Sequence, residues 1–334
     1  VRLATPRAWY SRDGIGFRAL RLILVPLSWI WAAATARRLA RGPRLDPGVP
    51  VICVGNLTLG GSGKTPIARA LARRLRAAGT DAHILMRGHG GAERGPHRVD
   101  PALDDAARVG DEALMLSADA PVWVARDRAA GARAAVAAGA RALILDDGHQ
   151  NAALRPSLSL LVVDGETREG EWPFGDGAVV PAGPLREPIA TGLARADAVI
   201  LMLPADLEAP DPRLTAALAG PPLLIARLAP EAPPPAGPLL AFAGIGKPWR
   251  FERALRAAGA DLVDFAPLAD HAPLSPGLIK GLSARAQALG ATLVTTEKDA
   301  ARLPPPWRGR IVVWRVTARF ADEAALDRLL ALKT

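Results

Sequence analysis

Gly63-Lys64-Thr65 closes a turn of small residues, Thr58-Leu-Gly-Gly-Ser-Gly63, that follows the apolar run Val51–Val54. Residues of these types in this order suit the binding of a polyphosphate. Small residues let backbone N–H groups curl around an anion. A helix starting at Lys64 points its positive end at the same anion. The lysine can reach β- and γ-phosphates, and the Thr65 hydroxyl can hold Mg²⁺. The usual loop of this kind begins with glycine. Here that position is Thr58, and Gly60 and Gly61 lie inside the loop instead. The bland alternative is a glycine turn without a ligand; the strand–turn–helix context argues against it.

Four further sets of residues could take part in such chemistry. The run Arg141–Leu145 ends in Asp146-Asp147-Gly148. A carboxylate at a strand end beside a phosphate loop holds Mg²⁺, directly or through water; the alternative is an ordinary turn. Asp111 and Glu112 open a helical pattern that runs to Leu116. Such acids either offset the helix dipole or accept a hydroxyl proton and organise Mg²⁺. Arg87-Gly-His-Gly-Gly91 follows the apolar run Ala82–Met86. That places it at the edge of an α/β sheet where ligands bind, unless it is a plain surface loop. Arg128 either holds a phosphate or pairs with Asp127, and Asp270-His271, taken alone, reads as an exposed loop.

The elements that must position these residues alternate. Strands are expected at 51–54, 82–86, 121–125, 141–146, 158–164 and 197–202, with helical patterns between several of them. That alternation implies a parallel sheet with helices on both faces. The stretch Ala229–Pro238 is rich in proline and reads as a linker. Beyond it, strands at 239–243, 262–265 and 291–295 and helices at 248–258 and 276–289 make a smaller α/β domain. Residues 311–316 are expected to return as a linking strand and 322–332 as a closing helix. Thr296–Asp299 either lines the cleft or caps a helix.

The chain has 334 residues, a single cysteine (Cys53) and a net charge of +9. One cysteine permits no internal disulfide, which suits a reducing compartment. The positive charge favours anionic partners. No basic–aromatic ladder, zinc finger or helix-turn-helix is evident, which argues against nucleic acid, and no obligate protein partner is evident. Residues 22–36 form a fifteen-residue run without charge, flanked by Arg18, Arg21, Arg37 and Arg38. It is shorter than the about 20 residues a bilayer core requires. Trp29 and Trp31 suit an interface, so a membrane-associated helix is expected; a buried helix and a cleaved signal segment are the alternatives. Pro26 is expected to break or kink it.

Read together, Val54–Pro66, Arg87-Gly-His-Gly90, Gly110-Asp-Glu112, Asp146-Asp-Gly-His-Gln150 and Val180–Pro188 resemble the tetraacyldisaccharide 4'-kinases of lipid A biosynthesis. Phe242–Pro248, Asp270-His271 and Thr295–Ala300 extend the resemblance in the same order. It implies a P-loop NTPase-like domain over 47–228, a smaller C-terminal α/β domain with a returning strand and helix over 229–334, and a membrane-associated segment and linker over 1–46. It implies ATP and Mg²⁺ as cofactors and an acylated disaccharide 1-phosphate as acceptor, giving lipid IVA. The expected location is the cytoplasmic face of the inner membrane of a Gram-negative bacterium.

By position, Asp111 is implied as the base for the sugar hydroxyl, with His271 its partner and Lys64 a third catalytic group. Nucleotide contacts are implied for Thr58, Leu59, Gly60, Gly61, Ser62, Gly63, Lys64 and Thr65. Metal contacts are implied for Thr65, Glu112 and Asp146. Arg128, Arg186 and Asp147 are implied on the substrate side, Asp147 as a support behind the ion. The chain departs from the family's usual Asp-Asp-Gly-x-Gln-His: Asn151 stands at the histidine position and His149 two places earlier. The rival reading is a membrane-associated P-loop switch protein. It needs no base for a sugar hydroxyl and often carries Asn-Lys-x-Asp, which is absent here.

Overall fold

Consecutive apolar residues make strands that bury both faces, and strands buried on both faces need helices above and below. In the computed structural model, which describes residues 9, 15–42, 44–168 and 171–331, the chain follows this rule. Residues 1–8 and 10–14 of the expected N-terminal segment, Pro43, residues 169–170 of the loop before Val180 and residue 332 of the expected closing helix lie outside the described residues, as does the side chain of Arg18.

Helix α1 spans Ile15–Arg41, β1 Val51–Gly55, α2 Lys64–Ala77, β2 Ala82–Met86 and β3 His97–Arg98. Then come α3 Ala106–Val109, α4 Asp111–Leu116, β4 Val122–Val124, α5 Arg128–Ala137, β5 Ala142–Asp146 and β6 Leu158–Asp164. Next are α6 Ile189–Leu193, β7 Ala198–Leu203, α7 Pro212–Ala217 and β8 Leu223–Pro230. Among the described residues the large sheet has nine strands, ordered β13-β8-β7-β6-β1-β5-β2-β4-β3, where β13 is Val316–Phe320. Its seven inner strands are parallel; β13 and β3 run antiparallel at the two edges. Ile67, Leu71 and Leu116 of α2 and α4 cover one face. Ala132 and Ala135 of α5 and Leu193, Leu214 and Leu218 near α6 and α7 cover the other. Each fully buried Leu or Ile contributes about 1.5–3 kcal/mol by leaving water.

The second sheet is built by β9 Leu239–Ala243, α8 Pro248–Ala257, β10 Leu262–Pro267, α9 Pro276–Ala288, β11 Thr292–Thr295, α10 Glu297–Ala300 and β12 Val312–Val313. It is parallel, in the order β10-β9-β11-β12. The chain then returns through β13 and α11 (Glu323–Ala331) to the large sheet. Leu326 and Leu330 of α11 join the α2 face of its core.

Two details differ from the sequence reading. Ala229 and Pro230 belong to β8, because β13 pairs with them from far along the chain (Thr317↔Ala229, Val316↔Pro230). The proline-rich connector therefore begins at Glu231. It lies beside the returning strand, with Glu231 N–H donating to Arg315 O at 3.0 Å and Trp314 Nε1 to Ala232 O at 3.0 Å. The second difference is α1, which runs unbroken through Pro26. The helix is held from one side: Ser28 Oγ donates to Val179 O (2.7 Å) and accepts from Ala182 N–H (3.1 Å), and Trp31 Nε1 donates to Arg186 O (3.2 Å). No helix among the described residues is long and apolar enough to cross a membrane.

Candidate active site

The phosphate loop joins β1 to α2 at the middle of the large sheet. Gly63 caps α2 with φ 86°, a left-handed conformation that a side chain would strain. Gly55 is required by close approach, since a Cβ there would stand 2.4 Å from that of His149. Leu59 N–H donates to Pro184 O at 2.9 Å, so the Val180–Pro188 segment braces the loop from outside. Arg186 adds to this, donating from Nε to Thr58 O at 3.1 Å. Ser62 Oγ is buried without a hydrogen-bond partner.

Strand β5 lies next to β1 and delivers Asp146 and Asp147 to the loop. Thr65 Oγ1 donates to Asp146 Oδ2 at 3.2 Å, while Asp146 Oδ1 is buried with no partner. Burial pushes the Asp146 carboxyl up to about 7, the negative charge of Glu112 adds to the push, and Lys64 opposes it. Asp147 adopts a positive φ of 57° and turns outward, its side chain 42 % exposed. It meets Lys64 Nζ at 3.6 Å and Arg186 Nη1 at 2.7 Å. Loss of surrounding water works upward on Asp147, but Lys64 and Arg186 outweigh it and bring the carboxyl down to about 2. Adjacent carboxyls driven apart in this way suit different tasks.

A divalent cation fits here. The orphaned Asp146 Oδ1 beside the Thr65 hydroxyl is an oxygen donor set with an unmet need for positive charge. Among the described residues no three His, Cys, Asp or Glu gather into a protein-only metal cage. That suits Mg²⁺, which is commonly held by one or two carboxylates together with substrate phosphates.

On the other side of the cleft stands the small sheet. His271 follows β10 and takes a positive φ of 56°. Non-glycine residues hold that conformation only when their surroundings impose it. The surroundings come from the Thr295–Ala300 segment. Thr296 caps α10, accepting from Asp299 N–H at 3.1 Å. Buried Asp299 accepts from Gly244 N–H at 3.1 Å and pairs with Arg302. Gly244 O accepts from His271 N–H at 3.1 Å and from Arg302 Nη2 at 2.9 Å. Thr296–Asp299 thus both caps a helix and builds one wall of the cleft.

This wall brings His271 Nδ1 to 2.9 Å from Asp111 Oδ2. Asp111 is at the start of α4 in the large unit and is 6 % exposed. Lys298 Nζ lies 3.2 Å from His271 Nε2 and 3.3 Å from Glu112 Oε1, and Arg302 Nε lies 3.7 Å from Asp111 Oδ2. Burial works to raise the Asp111 carboxyl, but the His271 contact and the charges of Lys298 and Arg302 win and hold it below the usual range. Lys298 and Arg302 were not singled out from sequence; the Thr295–Ala300 phrase was the signal that could have found Lys298.

The remaining expected residues fall as follows. Arg128 is 4 % exposed, donates to Ala125 O and leaves Nε without a partner. It does not pair with Asp127, which caps α5. His149 is a core residue, with Nε2 3.0 Å from Gly192 O and Nδ1 3.3 Å from Ser159 Oγ. Burial, with help from Arg195, pushes its imidazole down to about 4. Asn151 shapes a turn, accepting from Ala153 N–H at 2.8 Å. Neither reaches the cleft as a substitute imidazole.

A glycine phosphate loop on a central parallel strand, with an acidic strand end beside it, defines a protein of the P-loop kinase fold. The family model for the tetraacyldisaccharide-1-P 4'-kinases (LpxK) matches residues 20–334. Tetraacyldisaccharide 4'-kinase of Phenylobacterium zucineum is 61 % identical over 330 residues, covering 99 % of each chain. That of Caulobacter vibrioides is 57 % identical, covering 99 % of this chain and 98 % of its own. A crystal structure of LpxK from Aquifex aeolicus, described as an apo form in complex with ATP, superposes with a TM-score of 0.72 at 25 % identity, covering 94 % of this chain and 99 % of that one. The chain belongs to the tetraacyldisaccharide-1-P 4'-kinase family.

Proposed function

We propose that this protein is an ATP-dependent kinase that transfers the γ-phosphate to the 4'-hydroxyl of a tetraacyldisaccharide 1-phosphate, the lipid IVA-forming step of lipid A biosynthesis. The observation that carries the reading is the Asp111–His271 contact of 2.9 Å, made between two units that also enclose the phosphate loop. A switch protein has no use for a buried carboxylate held ionised opposite its phosphate loop.

In this reading the loop residues 58–65 cradle the phosphates, and Lys64 neutralises charge as the γ-phosphoryl loosens. Thr65, Asp146 and Glu112 are the residues that would hold Mg²⁺, which when bound offsets phosphate charge. Asp111 receives the proton of the 4'-hydroxyl as that oxygen bonds to phosphorus and the bond to the β-phosphate oxygen breaks. His271 stands between the two charges, Nδ1 2.9 Å from Asp111 Oδ2 and Nε2 3.2 Å from Lys298 Nζ, and so positions the carboxylate. Arg186, paired with Asp147 at 2.7 Å, and buried Arg128 supply positive charge to the site. A small unit carried by β9–β12, apart from the β13 and α11 that return to the large sheet, lets closure complete the base and exclude water.

Helix α1 supports attachment to the cytoplasmic face of the inner membrane. Ile23, Leu27 and Ile30 recur at helical spacing and are 71 %, 51 % and 66 % exposed, with Trp29 and Trp31 beside them. Exposed apolar and tryptophan side chains with arginines at the helix end suit a lipid interface.

The test is label transfer from γ-labelled ATP to tetraacyldisaccharide 1-phosphate in mixed micelles, wild type against Asp111→Ala. Labelled lipid from the wild type, nearly lost in the variant, is expected. Release of free phosphate alone, indifferent to lipid, refutes the kinase reading.

A further inference from the structure

Arg69 lies on α2, one helical turn after Thr65 and on the same side of the helix. Its side chain is buried and meets three acids from three separate segments. Nε lies 2.6 Å from Asp119 Oδ2, Nη1 donates to Glu297 Oε2 at 2.6 Å, and Nη2 lies 3.6 Å from Glu231 Oε1. A guanidinium is a planar fork with fixed angles between its donors, so it sets where its partners stand relative to one another.

Each of these acids belongs to a segment that carries or joins part of the cleft. Asp119 continues the turn that ends α4, its N–H donating to Leu116 O at 3.0 Å, and α4 begins with Asp111. Glu297 opens α10, in which Lys298 Nζ lies 3.2 Å from His271 Nε2. Asp299 of the same turn accepts from Gly244 N–H, and Gly244 O accepts from His271 N–H. The turn is short and capped by Thr296, so a shift of Glu297 carries Lys298 and Asp299 with it. Glu231 starts the proline-rich connector, its N–H donating to Arg315 O at 3.0 Å, and Arg315 Nε lies 3.8 Å from Glu297 Oε1. One guanidinium therefore ties the phosphate-loop helix to the carriers of both halves of the Asp111–His271 pair, where the chain crosses between the sheets. Asp119 and Glu231 are shared with Arg73; the contact through which Arg69 reaches the small unit is the one with Glu297.

We propose that Arg69 is a positioning residue for phosphoryl transfer: its fork to Asp119 and Glu297 sets Asp111 and His271 against each other, and both against the helix that begins at the phosphate loop. This rests on the kinase reading above. Arg69 touches neither phosphate nor acceptor in this role. It acts on kcat, through alignment of the base, and leaves the affinity for ATP to the loop itself.

The experiment measures kcat and the KM for ATP of Arg69→Gln, Glu297→Gln and the double variant, by label transfer to tetraacyldisaccharide 1-phosphate. Each is made both in the wild type and in Asp111→Asn, and circular dichroism checks that it is folded. In the wild-type background each single change is expected to lower kcat about 10- to 100-fold with the KM for ATP unchanged, since misplacing reacting groups by about 1 Å can cost about 100-fold. The double variant is expected to fall no further than the worse single one, because the two residues act through one contact. In Asp111→Asn the penalty is expected to shrink to within about 2-fold, because the base being positioned is already gone. Where Arg69→Gln does not fold, Glu297→Gln carries the test alone. A penalty of equal size in both backgrounds, an unchanged kcat, or a rise confined to the KM for ATP overturns the assignment and leaves the kinase reading standing. Failure of the wild type to label the lipid refutes the kinase reading itself.

Discussion

Replacing Asp146 with asparagine should make the metal-free protein more stable while removing its activity. The carboxyl is 1 % exposed, and its value of about 7 in the folded protein compares with 3.8 for the free side chain. The raised value means that the folded state binds the proton more tightly than the unfolded state does. Stability from this group is full at low pH, is lost as pH rises from about 4 through about 7, and stays lost above that. At 1.36 kcal/mol for each pH unit between the two values, the ionised group costs folding about 2 kcal/mol at pH 5 and about 4 kcal/mol at pH 8. Asparagine cannot ionise, and its amide oxygen can still accept from Thr65 Oγ1, which donates to the carboxylate at 3.2 Å. Urea unfolding in chelator, followed by tryptophan fluorescence at both pH values, should show Asp146→Asn ahead of the wild type by about those amounts. Saturating Mg²⁺ should narrow the gap at pH 8, because an ion bound only to folded wild type stabilises it by mass action. A variant no more stable than the wild type at pH 8, or a gap that ignores pH, refutes the account of Asp146 as a frustrated metal-seeking carboxylate.

Other consequences are open to simpler measurement. Asp111→Asn and His271→Ala should each lower kcat by about 10²–10⁴-fold with little change in the KM for ATP, as expected when a positioned base is lost. Asp111 acts when ionised, and its environment holds it below the ordinary carboxylate range. The acid limb of the kcat/KM profile should therefore lie below that range and move to higher pH in Lys298→Gln, which removes one of the charges responsible. Arg69 is 3 % exposed and meets Asp119 and Glu297 at 2.6 Å each, tying α2 to α10 across the units. Arg69→Met should cost about 1–3 kcal/mol in urea unfolding, because Glu297 is left with only the more distant Arg315 at 3.8 Å while Asp119 keeps Arg73 at 2.6 Å. Asp substitutions at Ile23, Leu27 and Ile30 together should abolish cosedimentation with anionic vesicles while leaving the circular dichroism spectrum unchanged.

Much of this protein was legible residue by residue. The runs 51–54, 82–86 and 158–164 are short and mostly apolar, as strands buried on both faces require, and the structure has strands there. The phosphate loop and the acidic end of β5 are written in consecutive residues, because backbone conformation and the side chains that use it are local there. Long-range packing decided the rest. β8 was invisible because its burial alternates and its partner β13 arrives some ninety residues later. Sequence left open whether His149 could take the place of the displaced histidine; backbone direction after Asp147 sends its ring into the core against Gly192. Arg87 and Arg128 read as charges on separate loops until the sheet order placed β2 and β4 side by side. The largest step is the Asp111–His271 pair, joined across 160 positions. Sequence supplied the two residue types; only docking of the small sheet, held by Asp299, Arg302 and Gly244, brings them within 2.9 Å. Local chemistry is encoded in neighbours along the chain, whereas a site shared between two units exists only once their cores have formed and met.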